Sequence, residues 1–571
     1  MDIIPPESSR LILDDCRRLT GPSLVWDKTG AILDCRVTDF YDDQILVCWY
    51  HHLRDLLETI GWQDRAYTHR QFDNGFNLLL EAPLDQLYTA TRVLEVNWYL
   101  SSCELLSLEA EPVGPLIESI REEMQRERNP DLIALQQQAM LHRVDFLADD
   151  DQVSIGHGQG SLSWPLAEIP DSDDIPWATV HDVPVALVTG TNGKSTSVRL
   201  LDCIAKAAGQ ISGVTSTDFV RVGDDVLDQG DYSGPGGARL LLRDRRLEVA
   251  FLEIARGGIL RRGLPLRGAR AALITNVGRD HLGQYGVNTL EALIEAKFVV
   301  RKALTDAGVL VLNADDDGIV DYMSSQVQSR VCWFSLDKNH ALIRRQIVEN
   351  KACCFCDENQ LVYFDGVNRQ PVCAFDEMPM TLGGAAIHNV RNALGALGVA
   401  AAMGYSIDTI RRGLIAFRSD DGDNPGRLNL IELSNGARAI IDFAHNAHSV
   451  DAVAETVGRM SARQKWVLFS SAGDRSDDEI CAIAKGVCSL KPDYVVLAEI
   501  EHYLRGRAPG EVSEILLKAC LREGLTRSQI HCVDSPLSGV QYAVAQLQPG
   551  DLGLFLVLSQ RDEVLRFLKQ N

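Results

Sequence analysis

The sequence predicts an α/β protein in which a mixed α+β N-terminal domain precedes two successive parallel-sheet domains. Over residues 183–417, apolar strand-like runs alternate with helical runs, which is the pattern of a parallel sheet covered by helices. A second alternation of this kind extends from residue 426 to the end. At residues 185–196 a glycine turn joins an apolar strand to a helix start, as in phosphate-binding domains. We therefore predict a P-loop parallel-sheet domain followed by a Rossmann-like domain.

The first third of the chain mixes strand-like and helical runs. Residues 44–50 favour a strand, whereas residues 84–108 and 116–147 favour helices. Within the second helical run, Leu116, Ile117, Ile120 and Met124 have the period of an amphipathic helix. The glycine-spaced residues 156–160 lack the spacing of a phosphate loop and are followed by no helix, so they predict a hairpin. None of these runs indicates a particular chemistry.

A stretch rich in aspartate and proline at residues 170–176 predicts a linker. It divides the chain into an N-terminal domain (1–175), a central domain (176–424) and a C-terminal domain (425–571). The predicted strands of the two parallel sheets are residues 185–189, 249–253, 272–276, 308–313, 439–442, 466–470, 494–499 and 552–558.

Composition and charge exclude several classes of protein. Hydrophobic residues make up 46% of the 571 residues and charged residues 24%, which indicates a globular chain. A formal net charge of −23 argues against general binding to nucleic acid or to an anionic membrane. No apolar run reaches the roughly 18 residues of a membrane span, and the N-terminus lacks a secretory signal. We therefore expect a cytoplasmic protein with neither nucleic acid nor membrane as a partner.

The 14 cysteines agree with a reducing compartment. Most stand singly in apolar runs, where they act as small core residues. Cys353, Cys354 and Cys356 form the one dense group, and no second cysteine or histidine pair with metal-ligand spacing accompanies them. A buried strand with reduced thiols is the prediction for this group.

The strongest signal of function is the glycine turn after the first central strand. Its glycines let backbone amides approach phosphate oxygens, and the helix start adds partial positive charge. Lys194 supplies a charge to the β- and γ-phosphates, and Ser195 can ligate Mg²⁺. The full P-loop pattern fails at its first position, Val188, and a plain glycine turn is the structural alternative. The predicted nucleotide-binding residues are Gly190, Thr191, Asn192, Gly193, Lys194, Ser195 and Thr196.

Further candidate ligands follow two other predicted strands. Glu253 ends the run 249–253, and Asp280 and His281 follow residues 272–277. The carboxyl ends of strands border the crevice in which open α/β sheets bind ligands. Glu253 and His281 are therefore candidates for a second Mg²⁺ near the γ-phosphate, with helix capping or a surface position as the alternative.

The G-T-x-G-K-[ST] form of the loop is typical of the Mur ligases, which join amino acids to carboxylates at the expense of ATP. Residues 215–218, 253–263 and 276–283 resemble the Mur-ligase-like half of cyanophycin synthetase. The resemblance spans residues 183–571 and implies ATP and Mg²⁺ as cofactors. It also implies an acidic peptide or amino-acid carboxylate and an amino acid as substrates, with arginine joined to an aspartate side chain as the parent reaction.

The resemblance assigns several roles in the central domain. Lys297 is the candidate for a carbamylated lysine that ligates the second Mg²⁺, and Asn389, in an H-N-x-x-N segment, would contact adenine. Their alternatives are an ordinary surface lysine and a helix cap. Arg256, Arg261 and Arg262 form a basic glycine-rich loop that suits a carboxylate or acyl phosphate, unless they are solvated or paired within the chain.

In the C-terminal domain, the resemblance places Arg427 at the phosphates and Asp442 at the ribose. Ala447 stands where the family usually has proline, which predicts a less rigid loop. The residues predicted to form the substrate pocket are His445, Asn446, Asp474, Arg475, Arg505 and Arg507. A surface turn is the alternative for the last four.

Cyanophycin synthetase carries an ATP-grasp domain ahead of its Mur-like half, and the chain before residue 183 is too short for a full one. The expected activity is therefore the Mur-type ligation alone, with a homo-oligomer or a companion synthetase left open. Two other functions remain compatible with the sequence: a non-catalytic ATP-binding partner of a larger synthetase, and a nucleotide-driven ATPase switch.

Overall fold

The computed structural model describes residues 6, 8–280, 282–326, 330–420 and 422–571. The chain begins with a four-stranded antiparallel sheet, in the order β1-β2-β4-β3, on which three helices pack. The run 44–50 is helical, so its strand prediction is wrong: its aromatic side chain Trp49 packs against α2, and tertiary burial overrides strand propensity. The elements are β1 (Leu11–Leu19), β2 (Gly30–Val37), α1 (Asp42–Ile60), β3 (Tyr67–Phe72), β4 (Gly75–Glu81), α2 (Leu87–Leu105) and α3 (Val113–Glu127).

A small three-stranded antiparallel sheet follows, beside one helix. The helical run predicted at 116–147 is divided, because Asn129 caps a new helix through Leu132 N (3.0 Å) and Pro130 opens its first turn. The hairpin predicted at 156–160 is confirmed between β6 and β7. The elements are α4 (Pro130–His142), β5 (Phe146–Ala148), β6 (Gln152–Ile155) and β7 (Leu162–Pro165).

The central sheet has eleven strands in the order β11-β10-β9-β12-β8-β13-β14-β15-β16-β17-β18. The seven strands from β9 to β16 in this order run parallel, and antiparallel strands extend both edges. Cys353, Cys354 and Cys356 lie buried in β16, as the alternation predicted. The strands are β8 (Val185–Thr189), β9 (Ser212–Thr215), β10 (Phe219–Val222), β11 (Asp225–Gln229), β12 (Val249–Glu253), β13 (Ala269–Ile274), β14 (Leu304–Asn313), β15 (Arg330–Ser335), β16 (Cys353–Asp357), β17 (Gln360–Phe364) and β18 (Arg369–Ala374).

Helices cover both faces of the central sheet, because successive side chains of its buried strands point to opposite sides. Leu187 and Leu252 belong to the core beneath five helices, whereas Val188 and Phe251 face the other three. The first set is α6 (Pro235–Leu242), α7 (Arg256–Arg262), α8 (Leu290–Phe298), α9 (Asp317–Ser324) and α10 (Ala341–Val348), and the second is α5 (Lys194–Ala207), α11 (Ile387–Ala402) and α12 (Ile407–Ala416).

The last sheet has six strands in the order β19-β20-β24-β21-β22-β23, parallel except for β19. Helices α13 to α15 pack on one face, and α16 and α17 on the other. The predicted α/β class is confirmed. The elements are β19 (Asn429–Glu432), β20 (Arg438–Asp442), α13 (Ala447–Gly458), β21 (Lys465–Phe469), α14 (Asp477–Ser489), β22 (Tyr494–Ala498), α15 (Glu511–Arg522), β23 (Ile530–Val533), α16 (Pro536–Gln546), β24 (Leu552–Leu556) and α17 (Arg561–Gln570). Among the described residues, no helix combines the length and the apolar character needed to cross a membrane.

Candidate active site

The glycine turn lies between β8 and α5, at the carboxyl edge of the central sheet. Gly193 has a left-handed φ of 86°, and a Cβ at this position would lie 2.3 Å from Asn392 Oδ1. A Cβ on Gly190 would lie 1.9 Å from Thr275 Oγ1. Both positions therefore require glycine, and the turn brings backbone amides to the start of α5, where an anion is favoured.

The side chains of the turn are fixed by short polar contacts. Lys194 Nζ donates to Thr191 O (2.9 Å), which holds the ammonium group over the loop. Asn192 N donates to Asn276 Oδ1 (3.0 Å). Asn424 Nδ2 donates to the hydroxyl of Thr196 (3.2 Å). The predicted nucleotide-binding loop is thus braced from several segments and is pre-organised before a ligand binds.

A cavity of about 440 Å³ opens from this loop towards α11 and the C-terminal domain. Asn389 is buried in its wall, where its amide donates to Met380 O (2.8 Å). The guanidinium of Arg427 lies 4.6 Å above the Phe443 ring, on the C-terminal side. The structure therefore brings these predicted residues and the loop to the wall of one cavity.

Asp442 lies in the same wall and is held by two backbone donors. Leu428 N donates to one of its oxygens (2.8 Å) and Ala444 N to the other (2.7 Å). Burial raises the pKa of Asp442 to about 6, against the lowering effect of the nearby Arg427. Its carboxyl group is therefore in place to accept hydrogen bonds from hydroxyl groups of a ligand.

Glu253 ends β12 beneath the phosphate loop and is 1% exposed. Its Oε2 accepts a hydrogen bond from Thr217 N (3.3 Å), whereas Oε1 is buried and has no hydrogen-bond partner among the described residues. The hydroxyls of Ser195 and Thr217 lie 3.3 Å apart in the same cavity wall. A buried carboxylate oxygen without a donor, close to hydroxyls, fits the hard oxygen ligands that Mg²⁺ prefers.

The side chain of Lys297 extends from α8 to the phosphate loop. It is 4% exposed, and its Nζ donates to Gly190 O (2.7 Å). Burial lowers its pKa well below the usual range, and the charge of Lys194 lowers it further. The alternative of an ordinary surface lysine is wrong. His281 lies outside the described residues.

A second cavity of about 1280 Å³ adjoins the first and reaches all three predicted domains. Lys194, Arg427 and His445 line both cavities, so the two spaces meet at the phosphate loop. The side chains of the second cavity carry many charges of both signs. Its charged lining residues are Asp15, Arg17, Arg18, Lys194, Asp218, Asp231, Arg256, Arg261, Arg262, Asp280, Lys297, Arg427, Asp474, Arg475 and Arg505.

The three arginines predicted on the basic loop all line the second cavity, on or beside α7. Arg256 is buried and donates to Gln284 Oε1 (2.7 Å), and burial lowers its pKa. Arg261 is exposed and donates to the hydroxyl of Tyr285 (2.7 Å). A cluster of guanidinium groups in a partly buried wall favours an anionic ligand.

The predicted pocket residues of the C-terminal domain divide into two groups. Asp474 and Arg475 line the second cavity together with Arg505, and Arg475 reaches across to Asp280 of the central domain (3.2 Å). Arg507 instead donates to Gly473 O (2.9 Å) and to Arg475 O (2.8 Å), so its guanidinium fixes the loop that carries the others.

Asn446 lies between the two α/β domains. Its Nδ2 donates to Asn192 Oδ1 (3.2 Å) in the phosphate loop and to Asp280 Oδ2 (3.3 Å). It also caps α13 through a reciprocal pair of hydrogen bonds with Ser449. This capping box fixes the helix start where the missing proline predicted a looser loop, because it satisfies two backbone donors at once.

The sequence did not assign a role to a buried ionic network beside the site. Arg199 on α5 is 1% exposed and contacts Asp218, which also accepts from Arg561 of the C-terminal domain (2.6 Å). The nearby arginines, first Arg427, outweigh burial and lower the pKa of Asp218 to about 2. An arginine on the buried face of α5 is the one signal that could have indicated this network.

One sheet carries a phosphate loop, the other is Rossmann-like, and the same cavity borders both. These features define a nucleotide-binding α/β protein. Two family models match the chain: the Mur ligase middle domain over residues 188–400, and the Mur ligase glutamate ligase domain over residues 426–556. The chain therefore belongs to the Mur ligases through its middle and C-terminal domains.

Curated relatives agree with this assignment. Cyanophycin synthetase of Nostoc sp. is 35% identical over 336 residues, which is 59% of this chain and 37% of that protein. The enzyme of the same name from Crocosphaera subtropica is 32% identical over 65% of this chain and 42% of that protein. The chain thus spans about two fifths of the length of these relatives.

A more distant relative and a solved structure each cover about two thirds of the chain. UDP-N-acetylmuramyl-tripeptide synthetase of Deinococcus radiodurans is 25% identical over 68% of this chain and 75% of that protein. The structure of E. coli FolC in complex with DHPP and ADP is 19% identical and covers 68% of this chain and 89% of its own, with a TM-score of 0.50. This likeness concerns the fold.

Proposed function

We propose that this protein is an ATP-dependent ligase that joins a substrate carboxylate to the amine of an amino acid. One observation carries the proposal: Lys194 of the phosphate loop lines both a nucleotide-sized cavity and a larger cavity rich in arginine. A ligase needs this arrangement, because the carboxylate must meet the γ-phosphate in line. The names of the relatives, all synthetases or ligases, support it.

In the first step, a carboxylate oxygen of the substrate attacks the γ-phosphorus of ATP, and ADP leaves. Lys194 and the amides at the start of α5 bind the phosphates, while Arg427 approaches them from the C-terminal domain. Asp442 and Asn389 hold the ribose and the adenine. The product is an acyl phosphate, and the protein contributes chiefly position and charge.

In the second step, the deprotonated amine attacks the acyl carbon, and phosphate leaves through a tetrahedral oxyanion. Arg256 and Arg261 stabilise the negative charge of the acyl phosphate and the oxyanion. The contact of Asn446 with Asn192 and that of Arg475 with Asp280 keep the C-terminal domain over the site. This closure excludes water, which would otherwise hydrolyse the intermediate.

Mg²⁺ would be held by Ser195 and Glu253, whose oxygens fit it, and in addition by His281 and a carbamylated Lys297. When bound, the ion supplies charge neutralisation for the phosphates. Carbamylation would convert Lys297 from a buried cation beside Lys194 into an anionic ligand, which the burial of its amine supports.

For the substrates, we propose an acidic peptide or amino-acid carboxylate together with an amino acid, with arginine and an aspartate side chain as the first pair to test. Support comes from the relatives named cyanophycin synthetase and from the arginine-lined cavity. The test is a matrix of acidic peptides against amino acids, with mass spectrometry of the products. Loss of one water from the combined mass of a pair, together with ADP, identifies the substrates; no product from any pair would overturn the proposal.

A further inference from the structure

The N-terminal domain is fixed beside the cavity by contacts between the end of β1 and α7. Thr20 N donates to Arg262 O (2.8 Å), and the Thr20 hydroxyl donates to the same oxygen (3.2 Å). Gly21 lies so close to the chain after α7 that a Cβ on it would be 2.1 Å from Leu264 O. Such close backbone contact holds the two segments in one relative position.

Arg262 is a half-buried cation at this contact. Its guanidinium donates to Arg18 O (3.3 Å), and among the described residues no carboxylate lies within ion-pairing distance of it. Burial lowers its pKa, and the neighbouring charge of Arg18 lowers it further. A partly desolvated charge without a counter-ion is unfavourable, so an anion bound here would be stabilised.

Arg18 and Tyr88 complete this edge of the cavity from the N-terminal domain. The guanidinium of Arg18 lies 3.9 Å from the centre of the Tyr88 ring and is paired with Asp150. The Tyr88 hydroxyl donates to the same carboxylate (3.2 Å). Because Asp150 is engaged by Arg18 and Tyr88, the positive charge of Arg262 remains in excess at this edge.

The cavity is too large for a single amino acid. One continuous space reaches from Lys194 at the phosphate loop to Tyr88 in the N-terminal domain, and its volume of about 1280 Å³ is about three times that of the nucleotide cavity. A reacting carboxylate occupies only the end at Lys194, so the remainder can hold an extended molecule.

Resting on the proposed ligase function, we infer that Arg262, oriented beside Arg18 and Tyr88, binds a second carboxylate of the substrate. The N-terminal domain thereby selects an acidic peptide over a single acidic amino acid. The excess positive charge is the reason to expect a bound anion at Arg262. The length of the cavity is the reason to expect that this second carboxylate lies far from the reacting one.

The test compares two tripeptides with the same reacting residue: one of three aspartates, and one with asparagine at the two other positions. In the full-length protein, KM should be about tenfold lower for the triaspartate, the value of one charge-assisted hydrogen-bonded contact. Arg262→Ala should remove this preference by raising KM for the triaspartate alone, with little change in kcat. Arg262→Lys should retain part of it.

Arg36→Ala is the matched control, because Arg36 is an exposed arginine of the N-terminal sheet paired with Asp14. It should keep the full preference. Thermal unfolding of each variant separates lost folding from lost recognition, and the asparagine-containing peptide serves as the internal reference. Equal KM values in the wild type, or a preference unchanged in a folded Arg262→Ala variant, would overturn this inference while the ligase function stands. No turnover with any acid would overturn the proposed function and this inference with it.

Discussion

The two cavities that meet at Lys194 are built in different ways. The phosphate-binding part of the nucleotide cavity is one continuous turn, of which residues 191–196 line the wall, and loops at the strand ends, α11 and the C-terminal domain complete the cavity. The second cavity, which we propose binds the substrates, draws residues from all three predicted domains, and contact between domains fixes its shape. A ligand site encoded by adjacent residues can be recognised from sequence, whereas one assembled by domain packing becomes apparent only in the folded chain.

The largest effect is expected at Lys194, one of the residues that line both cavities. Lys194→Ala should reduce turnover by about a thousandfold, because a charge aimed at the transferred phosphoryl group is lost. Lys206→Ala is the matched control: this lysine lies on the same helix, α5, and pairs with Asp224 at the surface. Steady-state ADP release measures both variants. Similar rates for the two would show that the turn does not bind the transferred phosphate.

A substitution of Glu253 tests whether the proposed metal site acts in the chemical step and not in the binding of the acid substrate. Glu253→Gln should lower kcat by about a hundredfold and shift the Mg²⁺ dependence to higher concentration, with KM for the acid little changed. Glu248→Gln provides the comparison, because it lies just before β12 and accepts from Ile211 N (2.7 Å) away from the phosphate loop. An unshifted Mg²⁺ titration in Glu253→Gln would contradict the assignment.

Loss of the ion pair between Asp218 and Arg561 tests whether the C-terminal domain closes the two cavities to water. Arg561→Ala should lower kcat about tenfold and increase the release of ADP that is not coupled to amide formation, since an opened site admits water. Arg566→Ala on the same helix should behave as wild type, because its guanidinium donates only to Asp562 O among the described residues. Full coupling of ADP to product in Arg561→Ala would rule out this role.

The last prediction concerns the pH dependence of stability at Asp442, which is measured as a free energy of unfolding and not as a rate. Its folded pKa of about 6 lies above its ordinary value of 3.8, so the folded protein binds this proton more tightly than the unfolded chain. The resulting stabilisation of the folded protein is complete below pH 3.8 and is lost as the pH rises through about 6. Relative to Asp442→Asn, the wild type should lose about 3 kcal/mol of unfolding free energy over that interval. The unfolding free energies of the wild type and of Asp442→Asn are measured by chemical denaturation at each pH. If the two change in parallel with pH, the carboxyl group is not buried in this way.

Much of the fold could be predicted because the signals were local. Strands β8 and β12 were placed to the residue, since each is a short, largely apolar run. The run 44–50 failed because a helix packed on a sheet can be as apolar as a strand, and only tertiary contact distinguishes them. The domain boundaries at 175 and 424 remain a prediction.

The residues of the candidate site likewise divide into those with a local sequence signal and those without one. The loop residues and Glu253 could be predicted because they adjoin strands, and Asn389, Arg427 and Asp442 because they stand in family motifs. Tyr88 and Arg561 carry no local signal, and they reach their neighbours in the site only through the packing of distant segments. No periodicity or motif in a single sequence encodes such contacts.

The central claim is that ATP is consumed only in joining an acid to an amine. The most direct measurement is the rate of ADP release by the full-length protein with neither substrate, with each alone and with both, while the amide product is quantified in parallel. We expect a low rate with neither substrate or with one alone, and a rise with both in which ADP and amide form in equal amounts. ADP release at the full rate with neither substrate, or without an amide product, would contradict the account.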